Sequence, residues 1–108
     1  MGEFFYEIDE YEDPDAEYHG PLLFEDRYIY EGQWKNQLRN GRGKQIWKDG
    51  SIYEGYWKNN LANGYGRLIH SDGDAYLGEW KNDRANGKGE YTSNCGAQYE
   101  GLWRNDKQ

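Results

Sequence analysis

A 23-residue period runs through most of this 108-residue chain, and it limits the possible folds more than any other feature of the sequence. Four residue types recur at fixed positions of the period: Tyr30, Tyr53, Tyr76 and Tyr99; Gly32, Gly55, Gly78 and Gly101; Trp34, Trp57, Trp80 and Trp103; Asn36, Asn59, Asn82 and Asn105. Periods of about 20 to 50 residues are typical of repeat architectures, in which each unit packs mainly on its neighbours. The sequence therefore predicts a linear array of similar units.

The repeats divide the chain into a tail and an array. Gly20 and Phe24 lie one period before Gly43 and Trp47, so a degenerate half-repeat precedes the first complete one. We predict an acidic tail at residues 1–17 and an array at residues 18–108, which consists of the half-repeat 19–29, the repeats 30–52, 53–75 and 76–98, and the partial repeat 99–108. Because the last unit stops in mid-repeat, it is either a terminal cap or the edge of a piece of a longer protein, and we expect the second.

Each repeat has the pattern of two β-strands and two turns. In Tyr-x-Gly-x-Trp, the two-residue period of a strand places the tyrosine, glycine and tryptophan on one face, here called the aromatic face. The opposite face, here called the charged face, receives residues such as Glu31. Asn-Gly, as at Asn40 and Gly41, and Asp-Gly, as at Asp49 and Gly50, tolerate positive φ angles and are predicted to form the turns. The expected fold is all-β, an antiparallel β-meander.

The composition agrees with this fold and excludes two others. The chain holds 5 Trp, 11 Tyr, 3 Phe and 15 Gly, but no Val. The scarcity of aliphatic residues excludes a helical bundle, whereas the abundance of aromatic rings excludes a wholly disordered chain. One Tyr and one Trp per repeat do not offset the conformational entropy lost when the whole repeat becomes ordered, so a repeat needs its neighbours for stability.

The repeat pattern resembles the MORN (membrane occupation and recognition nexus) repeat family, over about residues 19–108. The resemblance implies a single-layer antiparallel sheet, elongated and curved, whose glycine and aromatic face forms a groove. It also implies scaffold roles in cilia, flagella and the cell cortex. The sequence departs from the family pattern at Leu77, which replaces the usual Glu, at Cys95, which replaces the turn Asp, and at Arg27, which replaces the turn Gly.

Negative charge is concentrated at the N-terminus. The net charge is −7, yet residues 1–17 carry eight acidic side chains and no Lys or Arg, which leaves the repeats close to neutral. We therefore expect no binding to nucleic acid. The tail also contains Phe4, Phe5 and Tyr6, and three outcomes stay open: disorder, ordering on a basic partner, or folding back to cap the first strand.

Residues suited to catalysis or metal binding are few. His19 and His70 occupy unremarkable positions of the repeat, Cys95 has no neighbouring base to activate it, and no His, Cys and carboxylate group has metal-ligand spacing. We expect no enzyme, no catalytic residue, no cofactor and no metal. The single cysteine and the absence of a long apolar run predict a soluble protein of a reducing compartment, the cytoplasm.

Two surfaces are candidates for binding. We predict that a helix or an extended segment of a partner protein lies in a groove on the aromatic face, formed by Tyr30, Gly32, Trp34, Tyr53, Gly55, Trp57, Tyr76, Gly78, Trp80, Tyr99, Gly101 and Trp103, because Tyr and Trp dominate protein interfaces. A row of bases, Lys35, Lys58 and Lys81, is a weaker candidate for contact with phospholipid.

The sequence thus predicts a non-catalytic scaffold module within a larger complex. Its most plausible setting, implied by the resemblance, is a cytoskeletal assembly such as the axoneme of a cilium or flagellum. Two alternatives stay open: a phosphoinositide or membrane-surface recognition module, and the regulatory repeat region of a longer enzyme such as a lipid kinase or a SET methyltransferase.

Overall fold

The computed structural model describes residues 2, 4–6 and 9–107, in which eight strands form one sheet. The strands are β1 (Glu17–Phe24), β2 (Tyr28–Lys35), β3 (Leu38–Trp47), β4 (Ile52–Lys58), β5 (Leu61–Ile69), β6 (Ala75–Lys81), β7 (Arg84–Thr92) and β8 (Gln98–Trp103). Strand order follows chain order, and every neighbouring pair is antiparallel. The predicted all-β meander of repeat hairpins is confirmed. No helix in this described part of the chain is long and apolar enough to cross a membrane.

Glycines occupy facing positions on adjacent strands and so form a row across the sheet. The paired positions are Gly32 with Gly43, Gly43 with Gly55, Gly55 with Gly66, Gly66 with Gly78, Gly78 with Gly89, and Gly89 with Gly101. A row without side chains leaves space on the sheet surface for rings from nearby residues. The period of the sequence therefore becomes a continuous row of glycines from β2 to β8.

The first turn of each repeat differs from the prediction. Asn36 and Gln37, Asn59 and Asn60, and Asn82 and Asp83 form two-residue turns, with φ angles from 49° to 73°. The expectation that Asn40 and Gly41 form this turn is wrong. Gly41 has a φ of 81° but lies inside β3, where the β2–β3 pairing shifts register between Gly32 and Trp34. A bulge of this kind and a tight turn both favour a glycine with positive φ. Asn-Gly in the sequence therefore does not distinguish a bulge from a turn.

The buried Asn40 side chain closes the first turn instead of forming it. Its amide donates to the carbonyl oxygens of Lys35 and Leu38, at 3.4 and 3.2 Å. Its Oδ1 accepts the backbone N–H of Asn59 from the next repeat, at 3.0 Å. This asparagine therefore joins two consecutive turns.

The predicted Asp-Gly turns lie where expected, between β3 and β4 and between β5 and β6. Gly50 and Gly73 have φ angles of 95° and 100°. Asp49 Oδ1 accepts the backbone N–H of Ser51 at 2.8 Å, and this hydrogen bond holds the pKa of the carboxyl below its ordinary value.

Strand β1 begins at Glu17 and contains the first part of the predicted half-repeat 19–29. It pairs with β2, and the pairing shifts register between His19 and Leu22, at Gly20 and Pro21. Before β1 comes a 3-10 turn at Asp9–Tyr11. Met1, Glu3, Glu7 and Ile8 of the predicted tail, and Gln108 of the predicted partial repeat, lie outside the described residues.

Candidate functional site

The tyrosines of the aromatic face lie flat over the glycine row. A Cβ placed on Gly55 would come within 2.5 Å of the Gly66 Cα and 2.6 Å of the Tyr53 hydroxyl. That hydroxyl donates a hydrogen bond to the carbonyl oxygen of Tyr56 at 2.9 Å. Tyr30 and Tyr76 repeat this arrangement, and donate to the carbonyl oxygens of residues 33 and 79. Each tyrosine thus covers a pair of glycines and hydrogen-bonds to its own strand.

The tryptophans stand edge-on between successive tyrosines. Trp57 lies between Tyr30 and Tyr53, with ring centroids 5.6 and 5.1 Å apart and interplanar angles of 86° and 82°. Trp80 lies in the same way between Tyr53 and Tyr76, at 5.3 and 5.2 Å. Edge-to-face contacts at these separations are the favoured geometry for aromatic pairs. The rings therefore form a continuous ladder, which we call the aromatic ladder.

Many of the residues predicted to line the groove are buried in the aromatic ladder itself. Tyr30, Tyr53 and Tyr76 are 0%, 2% and 4% exposed, and Trp57 and Trp80 are also buried. The ladder is the hydrophobic core of a sheet that has no second layer. Another molecule can therefore reach only the edge of the aromatic ladder, where half-buried residues lie beside the buried rings.

A recess of about 380 Å³ lies on the aromatic face at this edge. Its lining combines buried residues, which are Gln45, Tyr53, Trp57, Ala62 and Trp80, with half-buried ones, which are Tyr28, Arg39, Trp47, Asn60 and Leu68, and with the exposed Asp83. Three of the predicted groove residues, Tyr53, Trp57 and Trp80, are therefore brought together in one recess. Trp47 and Leu68 were not among the predicted site residues, although the strand period places them on the same face.

Arg39 is a residue of the recess that sequence reasoning does not place there, since its position favours a base near a turn. Its guanidinium lies over the Trp57 ring, 4.6 Å from the centroid, and donates to Asn60 Oδ1 and O at 3.2 and 2.9 Å. It also donates to the side chain of Gln45. The sequence does carry a signal for this role, because Ala62 and Ala85 occupy the position of Arg39 in the next two repeats and Arg39 therefore departs from the pattern. The Arg39 guanidinium therefore covers a tryptophan ring at a position where the next two repeats have only an alanine methyl group.

A hydrogen bond between repeats fixes the rim of the recess. Asp83 Oδ1 accepts the backbone N–H of Ala62 at 2.6 Å, and Asp106 Oδ1 accepts that of Ala85 at 2.7 Å. Asn60 does the same for Arg39 at 2.8 Å. Each of these acceptors is the second residue of a two-residue turn with positive φ, a conformation that Asn and Asp tolerate well. The turn residue thus joins its repeat to the preceding one.

Burial controls the acid–base properties of the aromatic ladder. It raises the pKa of Tyr30 and Tyr53 well above the ordinary value of 10.0, and that of Tyr76 to about 12. The cause is desolvation, which disfavours the charged phenolate. All three side chains are neutral hydrogen-bond donors at physiological pH.

The described part of the predicted tail lies on the charged face. The Phe4 ring, 7% exposed, packs at 5.7 Å from the Tyr65 ring, and Tyr6 and Tyr11 pack at 5.3 and 5.5 Å from Tyr56. The Tyr56 and Tyr65 rings belong to β4 and β5 and point away from the aromatic ladder. The N-terminal segment therefore covers the part of the charged face at β4 and β5, whereas Leu102 of β8 on the same face stays exposed.

Polar contacts accompany this packing. Arg42 Nε donates to both Glu12 carboxylate oxygens, at 2.8 and 3.0 Å, and its guanidinium lies 5.2 Å from the Tyr6 ring centroid. The Tyr6 hydroxyl donates to the Gly43 carbonyl oxygen at 3.3 Å. Lys35 Nζ lies 3.6 Å from Asp13 Oδ2. The acidic tail thus meets bases of the sheet.

The predicted basic row is divided by these contacts. Lys35 is paired with the tail, whereas Lys58 and Lys81 are exposed. The row keeps two accessible bases for an anionic partner.

Three side chains are the sparse candidates for chemistry: His19, His70 and Cys95. His19 lines a recess beside β1, and His70 lines a depression near the Asp-Gly turns. Cys95 is exposed, and the Ser93 hydroxyl beside it lowers the pKa of its thiol. Within the described residues, no group of three or more His, Cys, Asp or Glu could hold a metal ion.

Comparison with protein families agrees with the repeat geometry. The model of the MORN repeat matches residues 30–52, 53–75, 76–94 and 99–108, well over half of the chain. The chain belongs to the MORN repeat family. Comparison with curated proteins gives no match. MORN repeats generally mediate interactions with proteins or membranes. In this MORN array the tail covers part of the charged face, and the aromatic face has an open recess.

Proposed function

We propose that this MORN array is a non-catalytic scaffold module that binds an extended or helical segment of a partner protein at the recess of its aromatic face. The observation that carries the proposal is the recess itself, where half-buried Trp47 and Leu68 lie beside the buried ladder rings. Apolar walls with a few fixed polar groups are typical of sites that receive an anchoring side chain.

The polar groups of the recess are already arranged. Arg39 is held by Asn60 and stacks on Trp57, and Asp83 is held by the Ala62 N–H. Because these contacts fix the rim before a partner arrives, binding costs little side-chain entropy. A partner segment that places an apolar side chain between Trp47 and Leu68 gains apolar burial without disturbing the ladder.

Affinity isolation with two matched variants tests this proposal. Leu68→Asp places a charge in the recess, whereas Leu102→Asp places the same charge on the charged face, where Leu102 is 69% exposed. Proteins that the wild type and Leu102→Asp retain, and that Leu68→Asp loses while its circular dichroism stays unchanged, support binding at the recess. Equal retention by all three proteins contradicts it.

Phospholipid is the second candidate ligand, since Lys58 and Lys81 are exposed. Each base near an anionic surface contributes about 1 kcal/mol, and two bases give only weak binding at physiological salt. Flotation with vesicles that contain phosphoinositide measures it. Tight, salt-sensitive binding that Lys58→Glu and Lys81→Glu abolish favours a membrane role over the protein scaffold.

The cellular setting belongs to the same proposal. A cytoplasmic cytoskeletal assembly, such as the axoneme of a cilium or flagellum, agrees with the scaffold role implied by the family resemblance. Localisation of the tagged protein tests it, and a distribution without any cytoskeletal structure contradicts it.

A further inference from the structure

The β1 end of the aromatic face has a second recess, of about 660 Å³. Glu17 of β1 lies opposite Trp34 of β2, and directly paired residues of antiparallel strands project from the same face. Leu22 and Phe24 reach this face as well, since they pair with tyrosines of β2. The recess therefore has an apolar wall of Leu22, Phe24 and Trp34, and it shares no lining residue with the recess of the proposed function.

Trp34 is less enclosed than the two ladder tryptophans that follow it. Its side chain is half-buried, whereas Trp57 and Trp80 are buried. Trp57 and Trp80 donate their indole N–H groups to the carbonyl oxygens of residues 43 and 66, but the buried Trp34 N–H has no hydrogen-bond partner in the described structure. The carbonyl one period earlier is that of Gly20, which lies at the register shift of β1. This irregularity therefore leaves part of the Trp34 ring at the wall of an open recess.

The next tryptophan along the array shows which group such a ring can receive. The Arg39 guanidinium lies 4.6 Å from the Trp57 ring centroid and donates to Asn60 Oδ1 and O at 3.2 and 2.9 Å. Gly41, two residues after Arg39, is the residue that faces Trp57. A guanidinium stacks well on an indole ring because it is planar, weakly hydrated and positively charged. Oxygen acceptors beside the ring then fix its orientation.

The β1 end has the ring and the acceptors of this arrangement without its cation. Asp15 lies two residues before the residue that faces Trp34, which is the position that Arg39 has relative to the next tryptophan. Gln37, which lines the recess, is one period before the acceptor Asn60. A carboxylate therefore replaces the guanidinium, whereas the tryptophan and a carboxamide are kept.

The charges of the recess favour a cation. Besides His19, its ionisable side chains are Asp15, Glu17 and Lys35. Lys35 Nζ already lies 3.6 Å from Asp13, and in the described part of the chain neither Asp15 nor Glu17 forms an ion pair. Two carboxylates therefore stand beside an accessible aromatic wall without a cation of their own.

We propose that this recess binds an arginine side chain of a partner protein, with the guanidinium over the Trp34 ring and hydrogen-bonded to Asp15 and Glu17. Arginine fits better than lysine, because a compact ammonium is more strongly hydrated and cannot pair with a carboxylate through two parallel hydrogen bonds while it covers a ring. The site goes beyond the proposed function, since neither its residues nor its ligand belong to the recess between Trp47 and Leu68. Either site can therefore fail its test while the other passes.

Nuclear magnetic resonance titration of the 108-residue chain tests the site with three blocked peptides, in which the central residue of Gly-Gly-X-Gly-Gly is arginine, citrulline or lysine. Citrulline has nearly the shape of arginine but no charge. We expect the arginine peptide to shift the indole N–H resonance of Trp34 saturably, and the citrulline peptide to leave it in place. The lysine peptide should bind about 3-fold more weakly or less, since it loses the stacked planar contact. The spectrum of Trp34→Phe assigns the resonance.

Two matched variants locate the binding. Glu17→Gln removes one charge from the recess, and Glu100→Gln removes the same charge from the charged face of β8. Both side chains are exposed, so neither change should disturb folding, which circular dichroism checks. We expect Glu17→Gln to weaken binding of the arginine peptide about 3- to 10-fold, and Glu100→Gln to leave it unchanged.

Three results overturn the proposal. A Trp34 resonance that the arginine peptide does not move shows that no guanidinium reaches this ring. Equal binding of the citrulline or the lysine peptide removes the preference for a guanidinium. Equal effects of Glu17→Gln and Glu100→Gln place the contact outside the recess.

Discussion

The Trp57 indole N–H donates a hydrogen bond of 3.1 Å to the carbonyl oxygen of Gly43 on the neighbouring strand. The same bond joins Trp80 to Gly66 at 3.0 Å. It satisfies the one polar group of a buried ring and fixes that ring between two tyrosines. A one-layer sheet thus obtains a specific core from side chains of its own surface.

This bond predicts unequal effects of one substitution at two equivalent positions. Trp57→Phe removes the donor from the Gly43 carbonyl and leaves a cavity, which should cost about 2 to 4 kcal/mol of unfolding free energy. Trp34→Phe removes an N–H that has no partner in the described structure, so its cost should be at least about 1 kcal/mol smaller. Urea unfolding followed by far-ultraviolet circular dichroism measures both. Equal losses would contradict the role assigned to the hydrogen bond.

The glycine row predicts a second pair of unequal effects. In Gly55→Val, the new Cβ meets the Gly66 Cα at 2.5 Å and the Tyr65 carbonyl oxygen at 2.7 Å, backbone atoms that have no room to move. We expect a loss above about 3 kcal/mol of unfolding free energy, or no folded protein. Gly20→Val, with open space around the new side chain, is the control and should keep wild-type stability. A folded, stable Gly55→Val protein would show that the sheet is less tightly packed than described.

The features that repeat could be predicted from the sequence, and those that do not repeat could not. The strand period and the recurring Tyr, Gly and Trp were enough for the sheet and its aromatic face. Asn40 and Gly41 were misassigned because turns and bulges both select a glycine with positive φ, and only the cross-strand register distinguishes them. The stacking of Arg39 on Trp57 and the packing of Phe4 on Tyr65 depend on residues outside the repeat pattern. For such residues, no periodicity indicates a neighbour.

Asp83 should be replaceable by asparagine but not by alanine. Its carboxylate accepts the Ala62 N–H at 2.6 Å, and its φ is 68°. Asp83→Ala leaves that N–H without its acceptor and places a less tolerant residue in the left-handed region, at a combined cost of about 2 to 4 kcal/mol. Asp83→Asn keeps both functions, as Asn60 does in the preceding repeat, and should lie within about 1 kcal/mol of the wild type. Thermal unfolding compares the two, and similar losses would exclude the acceptor role.

Two adjacent phenylalanines test the packing of the tail on the charged face. Phe4 is 7% exposed against Tyr65, whereas Phe5 is 73% exposed. Phe4→Ala should release the N-terminal segment, since burial of a phenylalanine ring contributes about 3 kcal/mol and the ion pairs at Arg42 and Lys35 add little at their exposed positions. Hydrogen exchange at the backbone amides of residues 9–16 should then become faster, and Phe5→Ala should leave it unchanged. Equal exchange in both variants would mean that Phe4 does not hold the segment.

Alkaline pH should unfold the protein through its buried tyrosines. Burial raises the pKa of Tyr30 and Tyr53, and that of Tyr76 to about 12, from the ordinary value of 10.0 that applies in the unfolded chain. Their contribution to stability is therefore fully present below about pH 10 and is lost as pH rises toward and beyond 12, because above pH 10 the unfolded state releases protons that the folded state retains.

Urea unfolding at a series of pH values measures this loss. Each fully buried tyrosine should contribute up to about 1.4 kcal/mol per pH unit to the slope above pH 10, and Tyr53→Phe should reduce the slope by up to that amount. Phenolate absorbance should rise together with unfolding rather than before it. A decline in stability that begins near neutral pH, or a slope that Tyr53→Phe leaves unchanged, would contradict the assignment to the aromatic ladder, since no phenol of the ladder ionises there.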